Sequence, residues 1–353
     1  MSDDKQLRLA AIITCYYPKS HADVIVSRWV EPRPGDADWG WPAQRHGRVV
    51  SAYIDQPDHE RDMGKQFLAD HGIPRFQTVR EALTLGSNDL AVDGVLLIGE
   101  HGDYPLNELG QKLYPRKELF DRIVEVYRET GQTAPVFCDK HLSWNFDWAQ
   151  QMHQTAQQMG FVLMGGSSIP HCRWDPPVRF SPGEKLDEVV AAFYGPDEVY
   201  GYHSIEYVQA MLERRPGAEP GVAAITAWKG ESFWEALKRG AFSVDLLEAA
   251  LAHSSNTKPG PWRENVERDS NKPMAFQIEH LDGLKVTHVS LNGHLQGWCA
   301  AMRICGRQAP LVTEPHVADD PDFYAHFATL SRHIDDMMAS RQHPFPPERL
   351  LLS

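Results

Sequence analysis

Five short apolar runs, the first four each followed by a segment of helical period, constrain this chain more than any other feature. They are Leu7 to Cys15, Val49 to Ile54, Ala91 to Gly99, Pro135 to Cys138 and Phe161 to Met164. Runs of that length without polar alternation read as strands buried on both faces. Between them lie helical stretches: His21 to about Trp29 with Ser20 as its cap, Glu60 to His71, Val79 to Leu85, Arg116 to Thr130 and Phe146 to Met159. Phe76 opens a further short strand, and a Pro/Gly/Trp-rich insertion spans Glu31 to Pro42. Strand and helix in alternation, joined mostly by short loops, predict a doubly wound parallel sheet. Such sheets carry their chemistry at the carboxyl ends of the strands.

After Pro170 the pattern changes. Pro176, Pro177 and Pro182 mark a crossing, which divides the chain into a Rossmann-like domain over 1–175 and an α+β domain over 176–353. Strand-like runs there are Val189 to Tyr194, Val222 to Trp228, Ala275 to Leu281, Lys285 to Leu291 and Trp298 to Ile304. The dipeptides Asp282-Gly283 and Asn292-Gly293 suit hairpin turns between them. Helices intervene at Ile205 to Leu212, Ser232 to Arg239 and Val244 to Ala252, and an amphipathic helix over Asp322 to Ser340 precedes a proline-rich tail. The expected fold of this half is a mostly antiparallel open sheet with helices.

Charge narrows the partners. The formal net charge is −13, and no basic cluster is longer than Arg214-Arg215 or Lys238-Arg239. That argues against nucleic acid and against an anionic membrane surface, both of which need a concentrated basic face. The acidic start from Met1 to Gln6 does not read as a signal peptide, and no apolar stretch reaches bilayer length. The five cysteines (15, 138, 172, 299 and 305) form no CxxC pair, which fits free thiols in a reducing cytoplasm.

The ionisable residues concentrate at strand ends. Asp139, Lys140 and His141 follow the run that ends at Cys138, and Glu100-His101-Gly102-Asp103 follows the run that ends at Gly99. Glu100, His101, Asp103 and His141 are the nitrogen and oxygen donor types that a divalent Zn, Mn or Mg ion accepts. Turn caps and hydrogen-bonded imidazoles are the competing reading for each of the four. Trp144, Arg173 and Trp174 can stack on a sugar ring, or serve as core and hinge residues. Ser167 and Ser168, after Gly165-Gly166, lack a nucleophile-elbow pattern, so a serine hydrolase is not expected.

In this order the motifs resemble the glucose–fructose oxidoreductase/inositol dehydrogenase (Gfo/Idh/MocA) family over nearly the whole chain. Asp55, closing the second strand, matches the acidic residue that the family uses near the adenosine ribose. Phe67-Leu68-Ala69-Asp70-His71-Gly72-Ile73-Pro74 and Val92-Asp93-Gly94-Val95 are similar to its connecting segments. Asp139-Lys140-His141 takes the place of its Glu-Lys-Pro motif. Val199-Tyr200-Gly201-Tyr202-His203-Ser204-Ile205-Glu206 takes the place of Asp-x-Gly-x-His-x-x-Asp, and the ending over 344–351 is similar to the family's close. The resemblance implies NAD(P), a Lys140 that polarises a sugar hydroxyl, a His203 that carries its proton, and Glu206 near the substrate. It also implies a homo-oligomer packed through the second domain's sheet, with His280, His288 and His294 at that interface.

The departure lies at residues 14–20. A dinucleotide turn ordinarily needs glycine so that backbone can approach the pyrophosphate, and Thr14-Cys15-Tyr16-Tyr17-Pro18-Lys19-Ser20 has none. Two tyrosines and a proline are expected to bring bulk where the phosphate would lie, while Lys19 and Ser20 could bind an anion of another shape. The sequence therefore suggests a redox-neutral, metal-assisted hydrolysis or elimination on a carbohydrate-like, oxygen-rich molecule, with Lys140, His203 and Asp139 as catalytic residues. The alternatives are an NAD(P)-dependent sugar or polyol oxidoreductase, using Asp55 and Ser20 for the cofactor, and a non-catalytic ligand-binding protein.

Overall fold

The structure, a computed structural model, describes residues 6–215, 220–270, 272–318 and 324–353. The chain forms two compact units, Met1–His171 with Ala318–Leu351, and Cys172–Val317 with Leu352–Ser353.

The first unit is built on β1 (Leu7–Ile13), β2 (Gly47–Ile54), β3 (Arg75–Phe76), β4 (Gly94–Ile98), β5 (Val136–Asp139) and β6 (Leu163–Gly166). Their order is β3-β2-β1-β4-β5-β6, parallel throughout. The order reverses between β1 and β4, where an open α/β sheet leaves a crevice. Helices α1 (His21–Ile25), α2 (Gly64–Asp70), α3 (Val79–Thr84), α4 (Arg116–Thr130) and α5 (Phe146–Met159) connect the strands. The apolar stripe of α4, with Leu119, Phe120, Ile123 and Val124, joins α3, α5 and one sheet face in a single core. Asn145 caps α5 by accepting from the Trp148 N–H at 3.1 Å, and Gly131 and Gly160 end α4 and α5 in the left-handed conformation that favours glycine.

A late helix returns to this unit. Of the stretch expected as helix over 322–340, residues 322 and 323 lie outside the described residues, and α10 runs Phe327–Ser340. Its Asp335, 1 % exposed, accepts from the backbone N–H of His46 (2.8 Å) and Gly47 (3.0 Å) and from Trp29 Nε1 (3.1 Å). One carboxylate thus pins the last long helix to the start of β2. At Gly94 an added Cβ would run into Met338 of α10, so glycine is what lets helix and strand approach there.

The second unit holds β7 (Arg173–Asp175), β8 (Leu186–Phe193), β9 (Val222–Lys229), β10 (Met274–His280), β11 (Lys285–Ser290), β12 (Cys299–Ile304) and β13 (Leu311–His316). The sheet order is β7-β13-β12-β8-β11-β10-β9, antiparallel except for the parallel pair β8–β11. Helix α6 (Asp197–Leu212) packs on β8 and β11, while α7 (Glu231–Lys238), α8 (Val244–His253) and α9 (Trp262–Arg268) share a core with the sheet. Asp282-Gly283 closes the β10–β11 hairpin as expected. Asn292-Gly293 does not close one, because β8 lies between β11 and β12. Asn292 instead accepts from the Gly195 N–H at 2.7 Å and donates to its carbonyl at 3.2 Å. His280, His288 and His294 are all buried within this unit, His288 bonded to Ser204 Oγ at 2.8 Å. No helix among the described residues is long and apolar enough to cross a membrane.

Truncating Asp335 strands three donors at once, two of them buried. The Asp335→Ala variant should lose about 3 kcal/mol of stability, read by urea unfolding, with Asp335→Asn losing less because its amide oxygen still accepts. Equal stability of both variants with the parent would show that this carboxylate does not hold the helix.

Candidate active site

The turn after β1 replaces glycine with side-chain hydrogen bonds. Lys19 takes the left-handed conformation, φ 68°, that glycine usually supplies. Ser20 Oγ accepts from the N–H of Tyr17 (3.2 Å) and Asp23 (3.3 Å), and Asp23 Oδ2 accepts from the Lys19 N–H at 2.8 Å. The expected bulk is half absent. Tyr16 is fully buried, its hydroxyl on Ser27 Oγ at 2.6 Å and its Cβ against Gly64, so it fills the core and leaves the crevice clear. Tyr17 stays at the edge, with the Arg61 guanidinium 4.0 Å over its ring and His59 stacked at 5.5 Å.

Glu100, at the end of β4, is the electrostatic centre. Lys140 Nζ donates to its Oε1 at 3.0 Å, and the Arg116 guanidinium bonds its Oε2. All three side chains are nearly or fully buried. Burial works to raise the Glu100 carboxyl, but the Lys140 and Arg116 cations outweigh it and hold it well below the usual carboxylate range. Two glycines make the arrangement possible. A side chain at Gly99 would collide with Arg116. A Cβ at Gly165 would sit 3.0 Å from the Cys138 carbonyl and 3.1 Å from that of Lys140. The Gly166 N–H bonds the Lys140 carbonyl at 3.0 Å and holds Lys140 at φ 61°. His101 is likewise left-handed, at φ 73°. Three non-glycine residues with positive φ near adjacent strand ends mark a locally strained edge.

Asp139 pairs with a residue that the sequence reading treated only as the start of a helix. Both its oxygens lie on His21 Nδ1, at 2.7 and 2.9 Å, and its side chain is 1 % exposed. His21 also packs edge-on against His101 (5.0 Å) and Phe327 (5.4 Å). Arg116, the other residue missed, anchors the Asp139 carbonyl at 3.2 Å and approaches His141 Nε2 at 3.4 Å. Each was legible only as the first residue of a helix, a position that the topology carries to this edge.

The expected metal set is corrected by these contacts. Glu100 faces two cations that an ion would have to displace. Asp103 is exposed and 3.8 Å from His59. His101 and His141 are neutral imidazoles, each pushed down to about 3 by burial first, then by His21 and by Arg116 respectively. Among the described residues no three His, Cys, Asp or Glu side chains are grouped to hold an ion.

Of the remaining candidates, Asp55 ends β2 with hydrogen bonds from the Tyr53 (2.9 Å) and Tyr104 (2.8 Å) hydroxyls. Trp144 is half-buried, its ring 4.8 Å from that of Trp148. In the second unit, His203 and Glu206 are buried on α6, and His203 lies edge-on to Tyr200 (5.9 Å) and Trp298 (5.7 Å). Arg173 is exposed on β7, and Trp174 beside it is covered by the Arg214 guanidinium at 4.3 Å.

No protein-family model matches the chain, and no curated protein sequence does. Solved structures do. GenD2 from gentamicin A biosynthesis, in complex with NAD, is 14 % identical, with a TM-score of 0.58 over 99 % of this chain and 91 % of that one. Myo-inositol 2-dehydrogenase from Lactobacillus plantarum is 10 % identical, with a TM-score of 0.57 over 99 % and 94 %. An oxidoreductase from Agrobacterium radiobacter, in complex with NAD+, L-tartaric acid and magnesium, is 10 % identical, with a TM-score of 0.55 over 99 % and 93 %. Of these neighbours one is a dehydrogenase, one an oxidoreductase solved with NAD+, and the third was solved with NAD. Together with the residue pairing above, they overturn the expectation of a metal-dependent hydrolase or lyase. The chain has the two-domain fold of the Gfo/Idh/MocA-type dehydrogenases.

Proposed function

We propose that the protein is a nicotinamide-dinucleotide-dependent oxidoreductase that interconverts an alcohol and a carbonyl on a polyhydroxylated small molecule. The observation that carries this reading is the buried Lys140–Glu100–Arg116 group at the carboxyl edge of the doubly wound sheet. Two cations share one carboxylate there, which favours an oxygen that gains negative charge as its proton leaves. Lys140 binds and polarises that oxygen, with Glu100 fixing the ammonium.

The residues also fit a dinucleotide. Tyr16 is turned into the core and Lys19 supplies the left-handed turn, so of the two tyrosines only Tyr17 stays at the crevice edge. Among the described residues Asp55 accepts two side-chain hydrogen bonds, and a carboxylate has lone pairs for about four, which leaves capacity for ribose hydroxyls. Ser20 contributes by shaping the turn. When bound, the nicotinamide supplies the two-electron acceptor. Five free cysteines support a reducing, cytoplasmic setting, and the exposed Ile225 and Leu281 side chains support a homo-oligomer formed through the second sheet.

Fluorescence titration with NADH and NADPH tests the reading directly, and failure of both to bind would sink it. NADH should bind at least about tenfold more tightly than NADPH, because Asp55 repels a 2′-phosphate, and Asp55→Ala should narrow that gap. Lys140→Ala should lower kcat by a factor of about 100 while leaving NADH affinity unchanged. The site also sets acid stability. His101 and His141 stay neutral in the fold but protonate once unfolded, so the unfolded state binds more protons between pH 6.5 and about 3. Stability should therefore fall as pH drops through that window, and His141→Gln should flatten the slope in urea melts taken at successive pH values.

A further inference from the structure

We infer that His21, held by Asp139, is the base that takes the substrate's hydroxyl proton, acting from the turn after β1. The inference rests on the oxidoreductase reading above and assigns it a residue outside the family-like motifs.

The geometry is that of an oriented imidazole. An ionised carboxylate can only accept, so the proton on Nδ1 points at Asp139 (2.7 and 2.9 Å), and Nε2 carries the lone pair. Among the described residues Nε2 has no hydrogen-bond partner, and the side chain is 13 % exposed, so that lone pair is open to a ligand. The carboxylate is nine-tenths buried and more, which confines it to one role: stabilising the imidazolium that forms when Nε2 takes a proton. His21 follows β1, and Glu100 and His101 follow β4, so the pair lies over the point where strand order reverses.

The groups facing His21 are Asp139 from β5, Glu100 and His101 from the turn after β4, and Phe327 from α10, with Lys140 and Arg116 behind Glu100. The nearest imidazole, His101, keeps its buried Nε2 without a hydrogen-bond partner among the described residues. In the step, the substrate's O–H proton passes to Nε2. A bound nicotinamide would supply the acceptor for the C–H hydrogen and its bonding electron pair, so that the C–O bond becomes a carbonyl while the dyad becomes imidazolium and carboxylate. Lys140 steadies the oxygen. Asp139 is a positioning residue.

The test is NAD+ reduction by myo-inositol, D-glucose and D-gluconate across pH 6 to 9, for the parent, His21→Gln, Asp139→Asn and His203→Gln, beside NADH titration of each. His21→Gln should bind NADH as the parent does and lose about 100-fold or more in kcat together with its acid limb. Asp139→Asn should move that limb to lower pH, because an amide stabilises the imidazolium less than a carboxylate; a purely structural role would not shift it. If the parent turns over and His21→Gln keeps its rate and acid limb, or if only His203→Gln loses them, the assignment to His21 is wrong and the oxidoreductase reading stands. If the parent reduces no dinucleotide with any of the three compounds, the oxidoreductase reading falls and takes this inference with it.

Discussion

One buried carboxylate organises the working edge of this protein. A charge taken out of water costs several kcal/mol unless it is paired and hydrogen-bonded, and Glu100 is paired twice, with Lys140 and Arg116. Much of the local architecture serves that pairing. Gly99 leaves room for the Arg116 stem, and Gly165 lets β6 run beside the Cys138 and Lys140 carbonyls. Arg116 stands at the first turn of α4, where a cation opposes the helix dipole, so its place there is explained by the anion it meets and not by helix preference.

The turn after β1 shows a second economy of means. Glycine is usual there because a Cβ at positive φ is strained and because backbone must come close to a ligand. Here Lys19 accepts the strain, of order 1–2 kcal/mol, while Ser20 and Asp23 satisfy the turn's N–H groups. The Asp23 carboxylate is steadied in turn by Ser27 (2.9 Å) and Arg33 (3.0 Å). A glycine-free turn of this kind is stiffer than a glycine-rich one, and His21, the partner of Asp139, stands immediately after it.

Local signals carried the sequence reading where the physics is local. Arg116–Thr130 and Phe146–Met159 were legible to the residue because periodicity, an Asn cap and terminal glycines all lie within the segment. The strand β13 and the three-residue β7 escaped notice, since edge pairs owe their form to a distant partner. Asn292-Gly293 has hairpin chemistry, yet a parallel β8 inserted beside β11 gives that turn another task. At the site, the concentration of ionisable residues after β4 and β5 was readable, but their grouping as a metal set was not sound. Their partners, Arg116 and His21, lie 16 residues from Glu100 and 118 from Asp139.

By itself the sequence determined the fold class of both halves and the strand ends at which the ionisable residues gather. Those follow from periodicity, charge and chain order, which act along the chain. Only the tertiary structure decided which carboxylate meets which cation, that Tyr16 turns inward, and that His21 and Asp139 form a pair. Pairings of that sort depend on strand order and on the room left by single glycines, and a one-dimensional pattern carries no record of either.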